Sequence, residues 1–157
     1  MSKSSLSYDI FESPIGTLYL IFSGKLLTGI SFRKPVQMSF KKSPASKNFI
    51  KELENYFRGR RRDFTQRIKF LKGTDFDMRV WLCLKDIPFG ETRTYKWIAE
   101  RVGNSLATRA VGQALSRNPI PIVLPCHRVI ESDGSIGGYS SGVNIKIKLL
   151  EMEYYRK

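Results

Sequence analysis

From residue 94 the chain reads Thr94-Tyr95-Lys96-Trp97-Ile98-Ala99-Glu100-Arg101-Val102, then Gly103-Asn104-Ser105, then Leu106-Ala107-Thr108-Arg109-Ala110-Val111-Gly112-Gln113-Ala114-Leu115-Ser116-Arg117. Two helical stretches flank a short turn containing glycine, which is the outline of a helix-turn-helix. The second stretch places Ala107, Ala110 and Ala114 on neighbouring turns, where small side chains permit close backbone approach. Its long polar side chains are chiefly Arg109, Gln113 and Arg117, few for reading base edges in a major groove. That build suits contact by shape or through a minor groove. The alternative is a plain helical hairpin whose alanines serve only tight packing.

Working outward, Asn118-Pro119 ends the pair, and Ile120-Pro121-Ile122-Val123-Leu124-Pro125 reads as extended, punctuated by proline. It delivers Cys126-His127-Arg128-Val129-Ile130 to a glycine-rich loop, Asp133 to Gly142, before a last helix from about Val143 to Glu153. Upstream, Thr74 or Asp75 can cap a helix carrying Phe76, Val80, Trp81 and Leu84, ended by Pro88-Phe89-Gly90. The first part of the chain differs. Residues Tyr8 to Glu12, Gly16 to Phe22 and Leu26 to Phe32 are short β-rich runs divided by Ser13-Pro14 and Ser23-Gly24-Lys25, an antiparallel meander. A Lys, Ser and Pro connection follows from Arg33 to Ser46. Phe49, Ile50, Leu53, Tyr56 and Phe57 then recur at helical spacing up to Gly59, a helix to cover the sheet. Asp63 to Leu71 is expected to hold one more strand, and Lys72-Gly73 opens the second half. The expectation is an α+β protein with domains at 1–72 and 73–157.

A length of 157 residues suits one compact domain or two small ones, and 41% hydrophobic with 26% charged residues is the composition of a packed globular chain. No apolar run approaches the roughly 18 residues that cross a bilayer. Asp9 and Glu12 stand where a secretory signal would continue its apolar block, so an intracellular protein without membrane attachment is expected. Lysine and arginine number 27 against 14 acids, a formal charge of +13 spread over both halves, which favours a polyanionic partner. The Arg58 to Arg62 run is read as solvated surface, with contact to DNA as its alternative. Cys83, Cys126 and the single His127 cannot build a disulfide framework or a four-ligand Cys/His zinc site. No metal, no cofactor and reduced thiols are expected.

Cys126 is the chemically pointed residue, because a thiolate is the reactive form and a neighbouring cation or base must generate it. In extended backbone adjacent side chains point to opposite faces, so Cys126 and His127 need a turn or a bridging water to act together. A buried thiol beside a hydrogen-bonded histidine is the alternative, and Cys83 is assigned to that class outright.

Taken together, Pro125-Cys126-His127-Arg128-Val129, Thr108-Arg109-Ala110-Val111-Gly112-Gln113-Ala114, Asn118-Pro119-Ile120-Pro121-Ile122 and Gly137-Gly138-Tyr139-Ser140 resemble the O6-alkylguanine-DNA alkyltransferases, also called methylated-DNA-protein-cysteine methyltransferases. The resemblance runs continuously from about Phe89 to Glu153 and is only architectural over residues 1–72. It implies a ribonuclease-H-like N-terminal domain and a winged-helix-like C-terminal domain containing the helix-turn-helix. It further implies that double-stranded DNA containing O6-alkylguanine is the partner, and that the lesion is rotated out of the stack into a pocket. The alkyl group then passes irreversibly to Cys126 in a single turnover. By the same resemblance His127 acts as general base through a water, Glu153 orients that histidine, and Tyr95 helps O6 leave. Arg109 takes the place of the flipped base, with Ala107, Thr108, Gln113 and Arg117 on the DNA-binding helix. Asn118 ties that helix to the cysteine loop, the backbone of Val129 accepts from the guanine amine, and Tyr139 and Ser140 wall the pocket. The zinc site that some relatives carry is impossible with one histidine and two cysteines. The expected setting is the cytoplasm, or the nucleus in a eukaryotic host, and the expected state a monomer, with clustering on DNA left open. Two rivals are a non-catalytic lesion-binding module and a Cys-His hydrolase. A steep salt dependence of DNA affinity would speak for DNA as partner, whereas a hydrolase needs an oxyanion hole and a small substrate.

Overall fold

The computed structural model describes residues 6–36, 40–60 and 63–156. Arg61 and Arg62, and with them the end of the basic run, lie outside the described residues. The chain divides into two compact units, one ending at Leu71 and one beginning at Lys72.

In the first unit, strands β1 (Leu6–Ser13), β2 (Gly16–Ser23) and β3 (Leu26–Ser31) form the expected meander. Ser13 locks the first turn: its Oγ donates to Gly16 O at 2.6 Å and accepts from the Ile15 N–H at 3.2 Å. Alternation sends Leu18, Leu20 and Phe22 of β2 to the core face, all buried. Helix α1 (Lys47–Phe57), capped by Ser46, answers with buried Phe49, Leu53, Tyr56 and Phe57. The rings meet across the layer, Phe22 edge-on to Phe49 and Phe11 stacked on Phe57, with centroids 6.1 Å apart in both pairs.

Two expectations are corrected here. The connection after Arg33 contains a fourth strand, β4 (Lys41–Lys42), parallel to β1, so the sheet order is β3-β2-β1-β4. A two-residue strand of lysines carries no hydrophobic alternation by which sequence could reveal it. The strand expected over Asp63 to Leu71 is a single bridge, Ile68 beside Leu27. Helix α1 competes for this segment: Phe64 packs on Phe49 and Tyr56, and buried Glu52 accepts hydrogen bonds from the Thr65 N–H and hydroxyl.

The second unit is helical. Thr74, not Asp75, caps α2 (Asp75–Cys83) through a reciprocal box with Asp77, and a 3-10 turn (Leu84–Asp86) continues it. A short strand β5 (Arg93–Thr94) leads into α3 (Tyr95–Arg101), which the turn at Gly103 joins to α4 (Thr108–Ser116). The helix-turn-helix is therefore present, with α4 starting two residues later than Leu106. Strand β6 (Val129–Ile130) pairs in parallel with β5, and α5 (Val143–Arg156) runs three residues beyond its expected end. Trp81 fastens α2 to α4, its indole N–H donating to Ala114 O at 2.8 Å. Among the described residues no helix is long and apolar enough to cross a membrane.

Candidate active site

Val111, Ala114 and Leu115 bury one face of α4, and Thr108, Arg109, Gln113, Ser116 and Arg117 stand on its exposed face. Ala107 is the residue before the helix and contributes no side-chain cap. Gly112 faces the Tyr95 ring, where a Cβ would make only an ordinary contact at 3.9 Å, so the position does not require glycine. Arg117 is drawn away from a purely DNA-facing role. Its guanidinium donates to Asp77 at 2.8 Å, tying the end of α4 to the start of α2, and this hydrogen bond holds Asp77 below the usual carboxylate range.

The segment after α4 is folded back on itself, which corrects the extended reading of Ile120 to Pro125. Buried Asn118 is the cause: its Oδ1 accepts from the Ile120 N–H at 3.1 Å and its amide donates to Leu124 O at 2.8 Å. The Leu124 N–H returns to Ile120 O, and the Val123 N–H to Pro121 O, both at 2.9 Å. This forces Ile122 to φ 75°, the one positive φ outside glycine among the described residues, at the centre of a γ-turn. Two prolines disguise this bend in the sequence, because they restrict local backbone without showing what Asn118 ties together. Cys126 then falls in one turn of 3-10 helix (Cys126–Arg128), so it and His127 are not opposed as on a strand.

His127 is wholly buried, with Nε2 2.7 Å from Glu153 Oε2. A carboxylate at that nitrogen fixes the tautomer with the proton on Nε2 and the lone pair on Nδ1. Nδ1 has no hydrogen-bond partner among the described residues. Arg128 closes the other side of the carboxylate, Nε to Oε1 at 2.8 Å and one terminal nitrogen to Oε2 at 2.9 Å, while the second terminal nitrogen donates to Ile87 O at 2.7 Å. The Gly90 N–H adds a hydrogen bond to Glu153 Oε1 at 3.3 Å. Burial opposes ionisation of Glu153, but His127 and Arg128 outweigh it and hold the carboxyl far below its ordinary range. Burial pushes His127 down, against the pull of Glu153, so the imidazole is neutral at pH 7. Burial pushes the Cys126 thiol up, and Asn118, Tyr139 and the charge of Lys146 only partly offset it. At rest the site therefore holds a thiol next to a neutral base that is already oriented. Glu151, two residues before Glu153, is exposed.

Cys126 opens on a cavity of about 620 Å³. Tyr95, Thr108 and Arg109 line it on the side of the helix pair, and Tyr139 and Ser140 on the glycine-loop side. Gly137 holds φ 77°, and a Cβ at this position would lie 2.8 Å from the Tyr95 hydroxyl, so only glycine leaves that hydroxyl its place. Ala107, Gln113, Arg117, Asn118 and Val129 are not among its lining residues, and neither are the buried His127 and Glu153.

Two functional residues escaped the sequence reading. One is Arg128, whose fork to Glu153 is described above. The other is Lys146, fully buried, whose ammonium donates to Val129 O at 2.7 Å, Ile136 O at 2.5 Å and Gly138 O at 3.1 Å. It fastens the cysteine segment to the glycine loop and already occupies one lone pair of the Val129 carbonyl. Its signal was spacing: Lys146, Leu149 and Glu153 form one buried stripe of α5.

Two family profiles match the chain. The 6-O-methylguanine DNA methyltransferase ribonuclease-like domain matches residues 6–70, and the DNA binding domain of the same name matches residues 75–155. The methylated-DNA–protein-cysteine methyltransferase of Methanosarcina barkeri is 47% identical over 154 residues, covering 93% of this chain and 96% of its own. That of Metallosphaera sedula is 41% identical, covering 94% and 93%. Among solved structures, Mycobacterium tuberculosis OGT in complex with DNA superposes with TM-score 0.89 at 41% identity, covering 96% of this chain and 94% of that one. The O6-methylguanine-DNA methyltransferase of Pyrococcus kodakaraensis gives TM-score 0.73 at 31% identity, covering 94% and 98%.

Proposed function

This chain belongs to the 6-O-methylguanine DNA methyltransferase family, and from that premise we propose how its own residues carry out direct-reversal repair of O6-alkylguanine in duplex DNA. The protein binds DNA. Helix α4 meets the duplex, Arg109 fills the gap left by the rotated nucleotide, and Thr108, Ala107 and Gln113 contact the adjoining backbone. The flipped base enters the cavity and stacks near Tyr139, with Ser140 supplying a hydrogen bond. The Val129 carbonyl accepts from the exocyclic amine through its remaining lone pair.

The alkyl carbon of an O6-alkylguanine has a poor leaving group, so the nucleophile must be a soft thiolate and O6 must leave as part of a neutral base. His127 Nδ1 takes the Cys126 proton through a water, and ionised Glu153 stabilises the imidazolium that forms. Sulfur bonds to the alkyl carbon, the carbon–O6 bond breaks, and its electron pair goes to the guanine. The Tyr95 hydroxyl donates toward the base as charge develops on it, and the proton removed from the thiol is returned to give neutral guanine. The product thioether has no leaving group that hydrolysis could use, so each chain acts once. Asn118 and Lys146 are positioning residues for this chemistry. Within this reading the N-terminal domain is 1–72, the C-terminal domain 73–157, and the protein works where the genome is, in the cytoplasm or a eukaryotic nucleus.

The observation that carries the proposal is the buried His127, fixed by Glu153 and offering an unpartnered Nδ1 beside a cysteine that opens on a cavity walled by α4. Single-turnover transfer from an O6-methylguanine duplex tests it. His127→Gln is expected to slow transfer by about 10²-fold to 10³-fold while lesion binding persists. Unchanged transfer would remove His127 from the mechanism, and binding without any alkylation in the wild type would leave a lesion sensor.

A further inference from the structure

The cavity has one acidic lining residue, and nothing in the reaction above uses it. Glu131 follows β6, five residues after the nucleophile, and its side chain joins Tyr95, Cys126 and Gly138 in the cavity wall. The backbone fixes its position: the Glu131 N–H donates to Ser135 O at 2.9 Å and its carbonyl accepts from the Gly134 N–H at 3.0 Å. Its carboxylate reaches the crowded point beside the Tyr95 hydroxyl, since a Cβ on Gly137 would lie 2.8 Å from that hydroxyl and 3.5 Å from Glu131 Oε2. The charge is felt across the site. It helps keep the Tyr95 phenol protonated, after burial, and it supports the charge of Lys146.

Two cations share the neighbourhood with Glu131. The Lys146 ammonium is buried against three carbonyls. Arg109 lies on α4, where the proposed function sends it into the base stack. A group attached to O6 of a flipped guanine enters next to Cys126, in a cavity whose one acidic lining residue is the exposed Glu131. The fixed charge of Lys146 also acts on Cys126, equally in every variant at 131, so the change at 131 is what a comparison of variants reads.

We propose that Glu131 is a charge filter on the alkyl group, disfavouring O6 adducts that carry an anion and favouring neutral or cationic adducts of similar size. The inference rests on the flipped-base reading of the cavity. Its physical origin is Coulomb repulsion at short range, weakened where solvent enters and strengthened when bound DNA covers the cavity mouth.

The test uses one duplex sequence carrying O6-methylguanine, O6-(2-hydroxyethyl)guanine, O6-(2-aminoethyl)guanine or O6-carboxymethylguanine. Single-turnover transfer is measured for the wild type, Glu131→Gln and Glu131→Lys, each rate expressed relative to the same protein's methyl rate. The wild type is expected to disfavour the carboxymethyl adduct against the hydroxyethyl adduct, with a ratio that shrinks as salt rises. Glu131→Gln should cut that ratio by about fivefold, and Glu131→Lys should reverse the order of the carboxymethyl and aminoethyl adducts. Equal ratios in all three proteins would overturn the assignment. Lesion-duplex affinities measured with Cys126→Ser, alone and combined with each Glu131 variant, give the same comparison without chemistry. A wild type that transfers nothing while these affinities still follow the charge at 131 would retain the filter and refute the alkyl-transfer reading.

Discussion

At the scale of single residues, the site depends on one carboxylate held by two partners. Glu153 is 1% exposed and receives both the His127 imidazole and the Arg128 fork. Replacing it with Gln leaves the Arg128 charge buried without its counter-ion, which costs on the order of 3–5 kcal/mol of stability. Glu153→Gln should therefore lower the denaturation midpoint strongly in addition to slowing transfer, and equilibrium unfolding in urea checks it. Lys146 makes a separate prediction. Its charge acts to lower the Cys126 thiol, so Lys146→Met should move thiol ionisation to higher pH, read as the pH dependence of Cys126 alkylation by iodoacetamide in the Cys83→Ala background. An unmoved profile would leave Lys146 a purely structural tie. Arg128 was illegible in the sequence, and Lys146 left only its helical spacing as a signal, for one physical reason. An Arg or Lys in a string of letters reads as surface, and only the folded chain shows Arg128 enclosed by Glu153 and Ile87 O, or Lys146 by three carbonyls. The cysteine and the histidine were easier, because their chemistry is unusual wherever they stand.

At the scale of elements, the helix-turn-helix was legible because its periodicity, its Gly103 turn and its alanine spacing are all local to the sequence. The bend that follows was not, because it is set by a side chain reaching across six residues, from Asn118 to Leu124 O. That geometry holds Ile122, a β-branched residue, at φ 75°, a conformation costing on the order of 1–3 kcal/mol that Asn118 must sustain. Ile122 is also 1% exposed, so Ile122→Gly relieves strain but empties core volume. Asn118→Ala is the cleaner probe. It removes both ties of the bend, and it should slow methyl transfer while leaving duplex affinity, which the proposed function assigns to α4, nearly intact. Loss of affinity in parallel with transfer would show that the bend shapes α4 as well. The Arg117–Asp77 pair between α4 and α2 is a smaller term: the arginine side chain is 54% exposed, so solvent screens the pair and salt weakens it further. In the first unit the β1-β2-β3 meander and α1 were legible from alternation and helical spacing, whereas β4 depends on backbone pairing to β1 alone.

At the scale of the whole molecule, charge and pH set the behaviour. A formal charge of +13 predicts that duplex affinity falls steeply and log-linearly with salt, through release of counterions from the DNA. The pH dependence of stability follows from the two buried groups behind the nucleophile. Burial depresses the folded-state value of His127 below the ordinary 6.5, so protonating it favours the unfolded chain, and its contribution is present above that pH and lost as pH falls below it. Glu153 is likewise depressed below 4.5, so its contribution is complete above that pH and declines as pH falls further. Both signs agree. The thermal midpoint should be lower at pH 5 than at pH 7.5 and fall again below about pH 4.5, and Glu153→Gln should reduce the second decline to the part that Asp77 contributes. A midpoint that rises toward acid would contradict the buried neutral histidine on which the proton transfer depends.

Transfer of an alkyl group from the DNA to Cys126, where it stays, can be followed by isotope without inference from rate. A duplex with one O6-methylguanine whose methyl is fully deuterated is mixed with excess protein, and the intact chain and its Cys126 peptide are weighed. One deuterated methyl per lesion is expected, found on Cys126, absent in Cys126→Ser, and matched by the appearance of unmodified guanine in the duplex. A chain that binds the duplex and gains no label, or that carries the label on Cys83 or elsewhere, would contradict it.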